Sequence, residues 1–161
     1  MRVWKYGDSV NTDMLFPGKY TYTCSTAEEI LPHLLEDLDP EFASNVSPGD
    51  VLFAGSNFGC GSSREQPALG LKAAGVEAVV AASFARIFYR AAINQGLLLI
   101  ECPDAVAAYT EGDSVTLNAS AGNIEVGGKT FTFPPLPDEI LAIREAGGLL
   151  PYARARLEKS K

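Results

Sequence analysis

The stretch GSNFGCGSSREQPALG, residues 55–70, sets two adjacent hydroxyls, Ser62 and Ser63, beside Arg64 and Glu65 in a run of small residues. The planar fork of an arginine suits bidentate contact with a carboxylate. A serine acts as a base only where its alkoxide is strongly stabilised, which a concentration of N–H dipoles and positive charge can do. The apolar run VLFAG leads into this window and a helical pattern leaves it. A strand passing through a small-residue loop into a helix aims unpaired backbone N–H groups and the positive end of the helix dipole at one spot, where a carboxylate or phosphate is welcome.

Several phosphate and nucleophile motifs fail here. A P-loop wants Gly-Lys-Ser/Thr, and the chain has Gly61-Ser62-Ser63 without a lysine. The dinucleotide fingerprint fails because Ser62, Ser63 and Arg64 follow Gly59-Cys60-Gly61 where the third glycine belongs. No G-x-S-x-G elbow is present, and a serine triad would have to use His33, the only histidine, on what reads as a helix face. The plainer reading is that Ser62 and Ser63 cap a helix, the glycines make a tight turn, and Arg64 and Glu65 are solvated; periodicity alone favours it.

The elements that must position these groups follow from pattern. RVWKY, residues 2–6, reads as a short strand, and GDSVNTDMLFPGKY as an ordered loop of turn-formers. STAEEILPHLLEDL offers a Ser/Thr cap and helical spacing, with Pro32 ending or bending it. SPGD is a turn before the strand VLFAG. Ser62 or Ser63 as cap, Glu65 or Gln66 three residues on, Pro67 in the first turn and Gly75 as the stop predict the next helix. VEAVVAAS, FARIFYRAAINQG and LLLIE read as strand, helix and strand, which implies parallel pairing with right-handed crossovers. Beyond Pro103 the texture becomes β-like, with Gly127-Gly128 as a hairpin turn. After PPLP, two terminal helices are separated by Gly147-Gly148.

The chain has 161 residues, 47% of them apolar and 20% charged, which fits one domain spanning 1–161. Its formal charge of −7 gives little support to a sequence-independent grip on nucleic acid or an anionic membrane. No stretch approaches the roughly 20 apolar residues needed to cross a bilayer, and the start lacks an apolar h-region, so a cytoplasmic protein is expected. Three cysteines without a C-x-x-C pair make a disulfide framework or a metal site on this chain improbable, and no metal ligands are assigned. Asn57 and Cys60 read as a turn amide and a small buried thiol, and His33 receives no function. Arg86 and Arg90 solvate a helix face or line a subunit interface.

Three ordered segments, GDSVNTDMLFPGKY, SPGDVLFAGSNFGCGSSRE and VVAASFARIFYRAAINQGLLLIE, carry a resemblance. The chain resembles the small subunits of isopropylmalate isomerase and homoaconitase, a family similar to the swivel domain of aconitase. The resemblance implies an α/β fold, an aconitase-type swivelling β/β/α domain with a parallel strand-helix core and a β-hairpin region. It implies a hydro-lyase that removes water from a 2-hydroxy dicarboxylate and adds it back at the neighbouring carbon. A separate large subunit would carry the [4Fe–4S] cluster, and this chain alone would be inactive. Carried over, the resemblance makes Ser62 the base, makes Ser63 and Arg64 the carboxylate holders, and places Asp13 of Asn11-Thr12-Asp13 near the active site.

The loop after that segment is implied to face the variable group of the substrate, here through Thr21 and Tyr22. Family members tend to place small aliphatic residues or an arginine after Tyr20, so this chain departs from both patterns. Without an arginine, a distal carboxylate would lack its partner, while a tyrosine is compatible with an isopropyl or smaller branched group. 2-Isopropylmalate, converted to 3-isopropylmalate in leucine biosynthesis, therefore leads over homoaconitase and 2,3-dimethylmalate dehydratase substrates. A non-catalytic binding or assembly module is the rival from another class. Gln66 also departs, standing where the family commonly has a histidine; glutamine does not titrate near neutral pH.

Overall fold

The computed structural model describes residues 1–159. Four short strands form a parallel sheet in sequence order: β1 (Val3–Lys5), β2 (Val51–Ala54), β3 (Ala78–Ala81) and β4 (Leu98–Glu101). Strand alternation sends side chains to two separate cores. Leu52, Ala54, Val79, Ala81 and Leu99 face one core, which includes Leu71 of helix α4 (Gln66–Ala73) and Phe88, Ala91 and Ala92 of helix α5 (Arg86–Asn94). Val51, Phe53, Ala78, Val80, Leu98 and Ile100 face the other.

That second core is closed by helix α6 (Pro103–Ala108) and an antiparallel meander of β5 (Val115–Asn118), β6 (Asn123–Val126) and β7 (Lys129–Thr132). Gly127 and Gly128 make the β6–β7 turn with φ of +55° and +79°, a two-residue turn that only residues at ease with positive φ form. The layers are helices, parallel sheet and antiparallel sheet, in agreement with the implied β/β/α architecture. Helices α7 (Asp138–Glu145) and α8 (Leu149–Lys159) follow, split at Gly147 and Gly148. None of the described helices is long and apolar enough to cross a membrane.

Three local expectations need correction. The pattern over 25–38 is not one helix: Thr26 caps a single turn, α2 (Ala27–Ile30), through a capping box with Glu29, and a 3-10 turn over Leu31–His33 follows. Pro32 sits in that 3-10 turn and Leu35 takes a φ of +56°, so the apolar residues reach the core from an irregular path. Within the N-terminal loop, Asn11 caps another single turn, α1 (Thr12–Leu15), by accepting the N–H groups of Asp13 and Met14. Another short turn, α3, spans Phe42–Asn45. Helix α6 replaces the β-like texture read after Pro103: proline starts it and Ala105 and Val106 bury one face.

Asp50, 5% exposed at the entry to β2, ties the chain start to the sheet. Its carboxylate accepts the Arg2 N–H at 2.9 Å, the Trp4 Nε1–H at 3.1 Å and the Ser47 N–H at 3.0 Å. Burial pushes its pKa up, but the hydrogen bonds from Ser47, Arg2 and Trp4 outweigh burial and hold it below the ordinary carboxylate value. A folded pKa below the unfolded one means the carboxylate stabilises the fold above about pH 4, and the contribution is lost as pH falls through the folded value. Asp50→Ala strands three donors, of which the Trp4 Nε1–H is buried, and should cost about 3 kcal/mol in urea unfolding at pH 7. The difference from the unmodified protein should shrink as acid protonates Asp50.

Candidate active site

The site grows from the carboxyl ends of β1 and β2, where ligands bind in open parallel sheets. Beyond the strands the two segments stay side by side: Tyr6 N–H bonds Phe53 O, Gly55 N–H bonds Gly7 O, and Ser9 N–H bonds Ser56 O. Gly59 N–H then reaches Val10 O and Thr12 N–H reaches Cys60 O, both at 2.8 Å. This ladder delivers Asn11-Thr12-Asp13 alongside Gly61-Ser62. The window is anchored from beneath by Phe58, fully buried and edge-on to Phe88 at 5.3 Å. Gly59 lies against the Phe88 ring, where a Cβ would come within 2.2 Å of it.

Ser62 leads into the centre of the cluster. Its N–H donates to Thr12 Oγ1 at 2.9 Å, and the two hydroxyl oxygens lie 3.1 Å apart. Arg64 Nε donates to Ser62 Oγ at 2.8 Å, Nη1 to Thr21 Oγ1 at 2.9 Å, and Nη2 to Asp13 Oδ1 at 2.5 Å. The Arg64 side chain is 14% exposed and that of Asp13 is 70% exposed. Gly61 and Gly18 are the clearances that permit this: a Cβ on Gly61, at φ +109°, would stand 2.8 Å from Thr12 Oγ1, and one on Gly18 would stand 2.9 Å from Asp13 Oδ1.

Four residues singled out from the sequence thus converge: Ser62, Arg64, Asp13 and Thr21. Two stay apart. Ser63 is exposed and makes no side-chain hydrogen bond among the described residues. Tyr22 is 97% exposed at the apex of its turn. Thr12, read only as part of the Asn-Thr-Asp segment and 1% exposed, meets Ser62 twice, at its N–H and at its hydroxyl; a threonine just inside a capped turn is the signal that could have found it.

The serines do not cap α4. The helix begins at Gln66 with Glu65 as N-cap, in helical backbone geometry and without a side-chain cap bond. The Ser62 hydroxyl is committed to Thr12 and Arg64, so tertiary bonds outcompete the local cap. The positive charge beside Ser62 comes from the Arg64 guanidinium and not from a helix N-terminus. Gln66 does not complete a capping box either: its Nε2 donates to Thr21 O at 3.0 Å and Cys24 O at 3.4 Å.

The turn carrying Thr21 and Tyr22 is held from its other side. Lys19 Nζ meets Glu36 Oε1 at 2.6 Å, and the Lys19 hydrogen bond holds the Glu36 carboxyl below its usual pKa. His33, without an assigned partner in the sequence, stacks on Tyr20 with ring centroids 3.8 Å apart and places Nδ1 2.8 Å from Glu36 Oε2. Cys60 is half-buried with its thiol 3.7 Å from Ser9 O, where a buried thiol was expected. Asn57 takes a φ of +59°, consistent with a turn residue.

Cys24 and Cys102 belong to the cores on opposite faces of the sheet, and Cys60 stands apart from both. Among the described residues no group of His, Cys, Asp and Glu converges to hold a metal ion. The three cysteines therefore do not fit the ligand set of an iron–sulfur cluster on this chain.

Comparison with known proteins identifies the family. The family model described as the aconitase C-terminal domain matches residues 19–105. The 3-isopropylmalate dehydratase small subunit of Heliobacterium modesticaldum is 48% identical over 99% of this chain and 97% of that protein. The isopropylmalate/citramalate isomerase small subunit of Methanocaldococcus jannaschii is 45% identical over 99% of this chain and 96% of that protein. A crystal structure of 3-isopropylmalate dehydratase from Methanocaldococcus jannaschii superposes with a TM-score of 0.89 at 40% identity, covering 99% of this chain and 95% of that one. The chain belongs to the aconitase C-terminal domain family and, within it, to the small subunits of 3-isopropylmalate dehydratase, a hydro-lyase.

Proposed function

We propose that this chain supplies the proton-transfer half of a two-subunit hydro-lyase site that interconverts 2- and 3-isopropylmalate, with Ser62 as the base. The observation that carries the reading is that one guanidinium, Arg64, bonds both the Ser62 hydroxyl and a carboxylate, that of Asp13. Asp13, exposed and joined to Nη2, stands where a substrate carboxylate would be received. The iron–sulfur cluster implied by the family belongs, in this reading, to the large subunit.

The hydrogen bonds support the role of Ser62. Thr12 Oγ1 accepts the Ser62 N–H, and its own O–H can donate to Ser62 Oγ, the direction an alkoxide there would require, while Arg64 Nε–H donates to the same oxygen. Two donors on one oxygen, one of them cationic, lower the cost of the alkoxide. Once the exposed Ser62 hydroxyl has released its proton to solvent, the alkoxide takes the proton from the carbon next to a carboxylate, the C–H electron pair forms the double bond, and hydroxide leaves the neighbouring carbon toward the partner subunit. Water returns in the opposite sense, with Ser62 giving its proton to the carbon that lost the hydroxyl.

Substrate choice follows from the turn over Thr21 and Tyr22. The Thr21 hydroxyl is spent on Arg64, and the turn brings no second arginine for a distal carboxylate. A short branched alkyl group against Tyr22 suits it better than a third charge.

The chain, purified anaerobically with a cluster-bearing large subunit, should turn over 2-isopropylmalate faster than citramalate or 2,3-dimethylmalate, and leave citrate and homocitrate untouched. In that complex Ser62→Ala should lower kcat by about 10²–10⁴; unchanged turnover would remove Ser62 as the base. Arg64→Lys keeps the charge but loses the fork, and kcat/KM should fall by more than about tenfold. Thr12→Val keeps the volume and removes the second donor to Ser62. It should lower kcat by about tenfold and cost about 1–3 kcal/mol of stability, read by parallel assay and urea unfolding.

A further inference from the structure

We infer that Gln66 is a positioning residue of this site, fixing the turn over residues 21–24 and, through it, the Arg64 guanidinium. The inference rests on the functional reading above for its catalytic consequence. Its structural part stands on geometry alone.

Gln66 opens α4, whose next residues Pro67 and Ala68 are buried, so its backbone is seated on the core. Its side chain reaches away from the helix to two backbone carbonyls, Thr21 O at 3.0 Å and Cys24 O at 3.4 Å. Both neighbours are acceptors, so the amide NH₂ must face them, and an NH₂ carries a donor for each. One residue therefore ties the two ends of a turn whose internal bonds, Thr23 N–H and Cys24 N–H to Tyr20 O, run back toward the preceding 3-10 turn at Gly18–Tyr20.

The consequence is local and directional. With its carbonyl held by Gln66, Thr21 turns its hydroxyl to Arg64 Nη1 at 2.9 Å, while Tyr22 at the apex is left outward and 97% exposed. Gln66 and Arg64 thus grip the same threonine, one by its backbone oxygen and one by its hydroxyl. An imidazole at position 66 would offer one N–H in that direction, and a carboxylate none.

Amide hydrogen exchange on the chain itself tests the structural part. Gln66→Met, which keeps length and helix propensity, should accelerate exchange at Thr21, Thr23 and Cys24 by about tenfold while β2 and β3 stay unchanged; Gln66→His should fall between. In the two-subunit enzyme Gln66→Met should raise KM for 2-isopropylmalate by about tenfold with a smaller change in kcat. In a Thr21→Val background it should add less than about twofold, because the two act along one path. Unchanged exchange in both variants overturns the positioning role, and fully additive effects on KM overturn the path through Thr21. If the unmodified complex turns over none of the alkyl malates, the functional reading fails while the exchange result still decides what Gln66 does.

Discussion

The Arg64 guanidinium is the point at which three stretches of chain are held together. Its Nε, Nη1 and Nη2 groups bond Ser62, Thr21 and Asp13, so the turn before α4, the 21–24 turn and the Asn11-capped turn cannot shift independently. A lysine could supply the charge, but its three N–H donors sit on one nitrogen and not in a rigid fork that reaches three partners. Close approach is bought with two glycines, Gly18 and Gly61, whose missing Cβ atoms leave room for Asp13 and Thr12. The same hub bonds the proposed base and a carboxylate, so a structural tie and the proposed half-site fall on one residue.

The sheet makes that meeting possible. Parallel pairing of β1 with β2 continues as single bonds through Thr12 and Cys60, so two loops leave the sheet in register and not as independent excursions. Phe58, Phe84 and Phe88 form the floor beneath them. The chain carries a formal charge of −7, which repels a dicarboxylate at long range. At physiological salt that field decays over about 8 Å, and in the proposed site a substrate would meet the Arg64 cation, 14% exposed, at contact distance.

Much of this was legible in the sequence for physical reasons. Apolar runs of four or five residues separated by helical patterns specified parallel strands, and Gly127-Gly128 specified the β6–β7 turn. The resemblance drew attention to Ser62, Arg64, Asp13 and Thr21, and the fold brings all four together. What was not legible depended on competition between local and distant partners. Ser62 has the sequence context of a helix cap, yet its hydroxyl is taken by Thr12, fifty positions away, and Arg64. Gln66 likewise has the spacing of a capping box and instead reaches across to Thr21 and Cys24. The pattern over 25–38 had helical periodicity, but Pro32 and the positive φ of Leu35 break it. Ser63 and Tyr22 lie outside the cluster, both exposed.

The central claim is that Arg64 receives a substrate carboxylate at the edge now occupied by Asp13 while keeping Ser62 in place. A crystal structure of the two-subunit complex with 2-isopropylmalate bound tests it most directly. The account predicts a substrate carboxylate within hydrogen-bond distance of the Arg64 guanidinium, Asp13 displaced from Nη2, and Ser62 Oγ facing the carbon that loses its proton. A substrate bound with both carboxylates away from Arg64, or with Ser62 Oγ turned from the reacting carbons, would contradict it.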